Sequence, residues 1–289
     1  MIHRIEKNGI SAEINSLGAE LCSLRGADGF EYMWQGDIWP KHAPVLFPLC
    51  GKIKNNEYTY KGKKYSLRGH GFAPKAEFLL LEKSEDKISF ILKESEETLA
   101  SYPFNFTLTA EYAITEDGLE ASYTVKNTGE DTLPFMFGWH PAFTLWGECP
   151  ICEFSLRFPY AKDVKMHPLA LERGPFVTGE VIDFPLDDGA YYLNEEEIYS
   201  NDTLILTDSG SKVVMSNKTD MRSLTLEYSD NLPYFCVWKW ETSEARFLCL
   251  EPWSNSPCDG IIDEDFETRV MERLPAGEKN LYSYKVSFN

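Results

Sequence analysis

Two residues in this 289-residue chain stand where a titratable group is costly to keep. The first is His140, in the apolar run Phe135-Met136-Phe137-Gly138-Trp139-His140-Pro141-Ala142-Phe143. Proline confines the residue before it to extended conformations, so this imidazole is held in few orientations and partly desolvated by its aromatic neighbours. Its ordinary pKa lies near neutrality, which suits a proton donor. The second is Glu251, which ends the apolar segment Phe247-Leu248-Cys249-Leu250 and is followed by Pro252-Trp253. Half-burial raises a carboxyl pKa and lets it act as a base near pH 7. A third candidate is His70, in Leu67-Arg68-Gly69-His70-Gly71-Phe72, where flanking glycines leave room for backbone and ligand to approach closely. Singly, each has a plainer reading: a hydrogen-bonded core His, a Glu paired at a sheet rim, a His exposed on a turn.

Together they define a narrower chemistry. The chain has no Gly-x-Ser-x-Gly, no phosphate-cradling glycine loop and no His-Glu-x-x-His. What remains is acid/base work on a neutral polar substrate, with no cofactor expected. Opening a sugar ring needs one group to protonate the ring oxygen and another to take the proton from the anomeric hydroxyl. The 7 Trp, 15 Tyr and 18 Phe suit both pleated sheets and the apolar faces of a pyranose.

Composition excludes several partners. With 28 Lys and Arg against 46 Asp and Glu, the net charge is -18, and neither nucleic acid nor an anionic membrane is an expected partner. No basic start leads into an apolar run and no stretch approaches 18 consecutive apolar residues, so the expectation is a cytoplasmic protein. Seven cysteines, several inside apolar segments, read as reduced thiols. Cys149-Pro150-Ile151-Cys152 has metal-ligand spacing, but no second pair or nearby His completes a site, and no metal is expected. Nothing separates a monomer from a homodimer.

The elements that must position these groups are short strands. Phe106, Leu108, Ala110, Tyr112 and Ile114 share one parity, Asp117-Gly118 turns the chain, and Leu119, Ala121, Tyr123 and Val125 return it. Further hairpins are expected over 57–67, 203–216 and 235–251, with a closing strand over 281–288. Glu94 to Ala100 and Asn194 to Ile198 are the places for brief helices, residues 159 to 190 are loop-rich, and residues 253 to 280 read as a polar loop or short helix. Steady strand spacing with little amphipathic helix predicts an all-β chain, a large antiparallel β-sandwich forming one domain over residues 1–289.

Four short stretches make the pattern recognisable: Phe47-Pro48-Leu49-Cys50-Gly51-Lys52, His70-Gly71-Phe72, Gly138-Trp139-His140-Pro141-Ala142-Phe143 and Glu251-Pro252-Trp253. In this order they resemble the bacterial branch of the aldose 1-epimerase (galactose mutarotase) family. The resemblance implies a β-sandwich with a carbohydrate cleft and interconversion of sugar anomers without metal or organic cofactor. It implies His140 as general acid on the ring oxygen, Glu251 as general base on the anomeric hydroxyl, His70 as a sugar-holding residue and Asp202 as a ligand of sugar hydroxyls.

Two positions depart from the family. Lys52 stands where Arg is usual, trading a planar fork for a point charge. Pro74 stands where relatives acting on hexose 6-phosphates carry Arg. Yet residues 52 to 75 hold Lys52, Lys54, Lys61, Lys63, Lys64, Arg68 and Lys75 against Glu57 alone. Those lysines either guard a hairpin edge or, through Arg68 and Lys52, attract an anionic sugar. Three functions therefore stand open: a mutarotase for a free aldohexose, one for a hexose 6-phosphate, or a sugar-binding protein without turnover.

Overall fold

The computed structural model describes residues 1–171, 176–242, 244–256 and 264–289. The chain is built of antiparallel β-sheets, with two short α-helices among the described residues, Glu96–Ser101 and Glu195–Asn201. Both helices start where a side chain can satisfy the first free amides. Ser95 and Thr98 form a capping box, and the Asn194 side chain accepts from Glu196 N and Glu197 N, ahead of three glutamates that favour the positive end of the helix dipole.

One sheet has nine strands. Its middle is the sequence of hydrogen-bonded neighbours Ser223–Tyr228, Lys279–Phe288, Gly118–Asn127, Phe106–Ile114 and Lys87–Lys93. The parity expected for 106–125 is the parity found: Phe106, Leu108, Ala110, Tyr112, Leu119, Tyr123 and Val125 are buried. The second sheet has eight strands. Its order runs Thr203–Thr207, Tyr234–Trp238, Phe247–Trp253, Gly138–Trp139 and Val45–Leu46, with Ala142–Thr144 also paired to Phe247–Trp253.

Aromatic pairs join the two sheets face to face. Trp139 meets Tyr284 at 5.1 Å between ring centroids, Phe235 meets Tyr228 at 5.7 Å, and Phe47 meets Phe106 at 5.0 Å. Such pairs add to the area they bury, about 0.5–1.5 kcal/mol each. Strand alternation then decides what is left for chemistry. Leu248 and Leu250 enter the core between the sheets, while Phe247 and Cys249 join a separate cluster with Trp34, Trp39 and Trp238 on the other face. Glu251, two residues beyond Cys249, continues that second face.

Three details differ from the sequence reading. The expected hairpin over 203–216 does not form: Thr203–Thr207 lies in the eight-stranded sheet, paired with Tyr234–Trp238, and Lys212–Asn217 lies in the nine-stranded sheet, paired with Ser223–Tyr228. Residues 253 to 280 are not all loop: Glu272–Leu274 is a strand paired with Leu133–Phe135, drawn in because Leu274 and Leu133 are both buried. The first brief helix starts later than expected, at Glu96, and ends one residue further on, at Ser101, while the second runs on to Asn201. The six described cysteines are unpaired, with Cys50, Cys236 and Cys249 buried; Cys258 lies outside the described residues.

Candidate active site

His140 reaches the second sheet through backbone bonds on both sides. Its amide donates to Pro44 O (3.0 Å), and Leu250 N donates to Pro141 O (3.2 Å). Gly138 is cross-strand from Trp253 and from Leu46, and a Cβ there would stand 2.6 Å from the Trp253 ring and 2.9 Å from Cys50 Sγ. Glycine therefore sets how closely the His140 segment and the Glu251 strand approach. The result is a direct contact, with His140 Nε2 3.3 Å from Glu251 Oε1 and the two side chains 11% and 1% exposed.

Both groups line a cleft of about 260 Å³, small for a ligand site and on the scale of one sugar ring. Trp39 stacks on the His140 ring at 5.3 Å, and Trp238 meets it edge-on at 5.6 Å. Trp253 and Trp240 complete the aromatic lining, and Lys41, Lys52, His70, Asp202 and Thr203 supply the remaining polar groups. Five of the six residues singled out from the sequence thus share one cleft. Arg68 does not line it: its side chain is exposed outside, close enough to disfavour the charge on Lys41. Pro74 lines the cleft as a neutral wall.

His70 sits in a turn that only a permissive backbone allows. His70 has φ 62° and Gly71 φ 71°, both left-handed, and a Cβ on Gly71 would lie 2.1 Å from Phe47 O. The turn is clamped to the Phe47 segment: Phe72 N and Ala73 N donate to Phe47 O, and His70 N donates to Gly51 O. In return Gly51 N donates to His70 Nδ1 (3.3 Å), which leaves the ring proton on Nε2 and makes that nitrogen a donor. Burial, with Lys41 and Lys52 nearby, lowers the His70 pKa to about 4.

That shift has a measurable consequence. Between about pH 6.5, where a free His titrates, and about 4, the unfolded chain binds a proton that folded His70 refuses. Stability is therefore expected to fall as pH drops through this window, and His70→Gln should flatten that slope in urea denaturation series. An unchanged slope in the variant would refute the assignment.

Asp202 is placed by the end of the helix Glu195–Asn201, immediately before the strand Thr203–Thr207. It has φ 59° and ψ −57°, a conformation side chains rarely adopt. Such strain is kept where surrounding structure overrides it, and clusters at ligand sites.

The cleft also contains residues that sequence reasoning missed. Trp39 and Lys41 come from an irregular loop held by Glu20, whose carboxylate accepts from His42 N (2.8 Å) and Ala43 N (3.1 Å), while Trp34 Nε1 donates to Trp39 O. Trp238 and Trp240 flank the end of a strand, and the alternation in Trp238-Lys239-Trp240 is the signal that could have found them.

Electrostatics distinguish the pair from its surroundings. Burial pushes the His140 pKa well below its ordinary value, aided by His70 and Lys41. Burial pushes the Glu251 pKa well above the carboxylate range; the Trp253 indole N–H offsets this without forming a well-aligned hydrogen bond, and Asp202 adds to it. Each group alone prefers to be neutral, so the pair as a unit holds one proton. In water the proton would reside on imidazole; desolvation brings the imidazolium–carboxylate and imidazole–carboxylic acid forms toward balance. Such a pair can give a proton at one atom and accept one at another with no change in its total.

With an all-β antiparallel fold and this cleft established, comparison with known proteins places the chain in a family. It belongs to the aldose 1-epimerase family, whose model matches residues 1–269. It is 29% identical over 300 residues to the plasmid-encoded protein LacX of Lactococcus lactis subsp. lactis, covering 95% of each chain. A galactose mutarotase-like protein from Lactobacillus casei shares 31% identity and a TM-score of 0.93, with full coverage of both chains. A galactose mutarotase related enzyme from Lactobacillus acidophilus shares 29% identity and the same TM-score, covering all of this chain and 97% of that one.

Proposed function

We propose that this protein is a mutarotase that interconverts the α and β anomers of an aldohexose by acid–base ring opening. The observation that carries the reading is the 3.3 Å approach of His140 to Glu251 in one aromatic-walled cleft. The ring oxygen and the anomeric hydroxyl are bonded to the same carbon, so a donor and an acceptor that serve them must face one small gap. Protonated His140 gives its proton to the ring oxygen, Glu251 takes the anomeric proton, and the ring C–O bond breaks to give the open-chain aldehyde. Rotation about the adjoining C–C bond exposes the other carbonyl face, and reclosure reverses both transfers. The reactive form of the pair carries its proton on His140, ends the opening step with it on Glu251, and is reset on closure. His70 Nε2–H and Asp202 hold ring hydroxyls, and the tryptophans cover the apolar face. Saturation-transfer NMR on a panel of aldoses tests this: exchange between anomers no faster than in buffer would reduce the protein to a binder.

A phosphorylated hexose is favoured by one specific feature. Lys41 and Lys52 line the cleft, and Arg68 and Lys75 lie close enough to act on Lys41, in a protein of net charge -18. Lys41 is half-buried, and burial together with Lys75 and Arg68 lowers its pKa while Glu20 opposes the shift. Like charges held together without a bonded carboxylate among the described residues attract an anion. Lys41→Gln with Lys52→Gln is expected to raise KM for glucose 6-phosphate about tenfold, the equivalent of roughly 1.4 kcal/mol, and to leave KM for glucose within twofold. Equal effects on both sugars would remove the phosphosugar reading.

A further inference from the structure

The cleft floor holds more donor atoms than proton transfer needs. Cys249 precedes Glu251 by two residues, so both side chains leave the same face of one strand, and Ala142, two residues after His140, is the cross-strand partner of Cys249. His140, Cys249 and Glu251 each offer an atom within 4.8 Å of the other two. The site also contains unused coordination capacity. Glu251 is only 1% exposed, and its Oε2 is buried without a well-aligned hydrogen bond. A buried carboxylate short of partners is costly, and a cation held on its other oxygen would neutralise the charge of the group.

We propose that His140, Cys249 and Glu251 form a three-ligand site for a zinc ion, and that occupancy by zinc switches off the acid–base pair. Imidazole, thiolate and carboxylate are the three donor types zinc accepts. Two ligands about 2.0–2.1 Å from one tetrahedral ion stand roughly 3.3 Å apart, which is the separation of His140 Nε2 and Glu251 Oε1. The cleft side supplies the open fourth position for water. Binding releases two protons to solvent, one from the Cys249 thiol and one from the His140–Glu251 pair, so affinity rises with pH. The ion then occupies the lone pairs that would exchange protons with sugar. Cys249 is fully buried beneath the cleft and takes no part in the proton transfers, so this role is separate from them.

The proposal deepens the mutarotase reading in its regulatory consequence, but its primary test needs no sugar. Cobalt(II) serves as a coloured substitute for zinc, and the protein carries Cys149→Ser and Cys152→Ser so that the Cys149–Cys152 pair contributes no thiolate. One equivalent is expected to bind with a thiolate-to-cobalt charge-transfer band and to be displaced by zinc. Cys249→Ala should abolish the band and weaken binding at least ~10-fold. No saturable binding, or a band that persists in Cys249→Ala, overturns the site. Should Cys249→Ala fail to fold, Glu251→Gln replaces it: affinity lowered at least ~10-fold upholds the site, and unchanged affinity overturns it. Anomer exchange by chelator-treated protein is measured separately. Cobalt binding with no exchange defeats the mutarotase reading alone, and exchange with no cobalt binding defeats the zinc site alone.

Discussion

Glu251→Gln is expected to lower the rate of anomer exchange by about 10²–10⁴-fold, the range that a positioned acid or base contributes. The substitution keeps the shape of the side chain and its reach to His140, but an amide cannot take the anomeric proton. It also deprives His140 of the partner that accepts the counter-transfer, so the imidazole would have to protonate the ring oxygen with nothing removing charge at the neighbouring oxygen. Sugar affinity should change by less than about threefold, because the aromatic walls and the His70 and Asp202 contacts remain; a fall in kcat with KM nearly constant marks an interaction made in the transition state. His140→Asn is expected to cost a similar factor, and the double variant little more than either single one, since two groups handing over one shared proton act as a unit. Saturation-transfer NMR with the sugar that wild type turns over fastest makes the comparison. Exchange by Glu251→Gln at the wild-type rate would remove Glu251 as the base.

How much of this was visible in the sequence depends on what holds each residue in place. His140 and Glu251 could be picked out because their neighbours along the chain create their environment: Trp139 and Pro141 on one side, Phe247 to Leu250 and Pro252 on the other. The sheet follows from alternation, as in Phe106 to Ile114, where local pattern and tertiary burial agree. Trp39 and Lys41 were not legible, because their loop has no period and is fixed by Glu20, about twenty residues earlier in the chain. The strand Glu272–Leu274 was hidden for a related reason: three residues carry no recognisable alternation, and only its distant partner Leu133–Phe135 defines it. Arg68 shows the opposite limit. The sequence set it two residues before His70, but the left-handed turn at His70 and Gly71 separates their directions, leaving Arg68 exposed outside the cleft lining. A motif gives the order of residues, while the backbone turn decides which of them face the ligand.

The same turn carries the largest expected effect on stability. Gly71→Ala is expected to destabilise the fold by about 2–5 kcal/mol, adding roughly 1–2 for a left-handed non-glycine residue to about 1–3 for overpacking. The new Cβ would stand 2.1 Å from Phe47 O and 2.6 Å from Pro48 N, backbone atoms that cannot rotate away as a side chain would. That carbonyl already accepts from Phe72 N and Ala73 N, so moving it breaks the clamp between two segments at once. Phe47 itself lies in the inter-sheet core against Phe106 and Phe135, which resists the displacement. Urea denaturation would read the loss. Activity should fall with it even where the protein remains folded, because His70 shares the turn and its Nδ1 is fixed by Gly51. The contrast is Gly62→Ala, in the hairpin between Glu57–Tyr60 and Lys63–Ser66. Gly62 also has a positive φ, but nothing lies within 4 Å of its Cβ position, so the cost should be only the roughly 1–2 kcal/mol of the left-handed conformation. Equal losses at the two glycines would show that close approach to Phe47 is not what Gly71 provides, and the account of how His70 is held in the cleft would go with it.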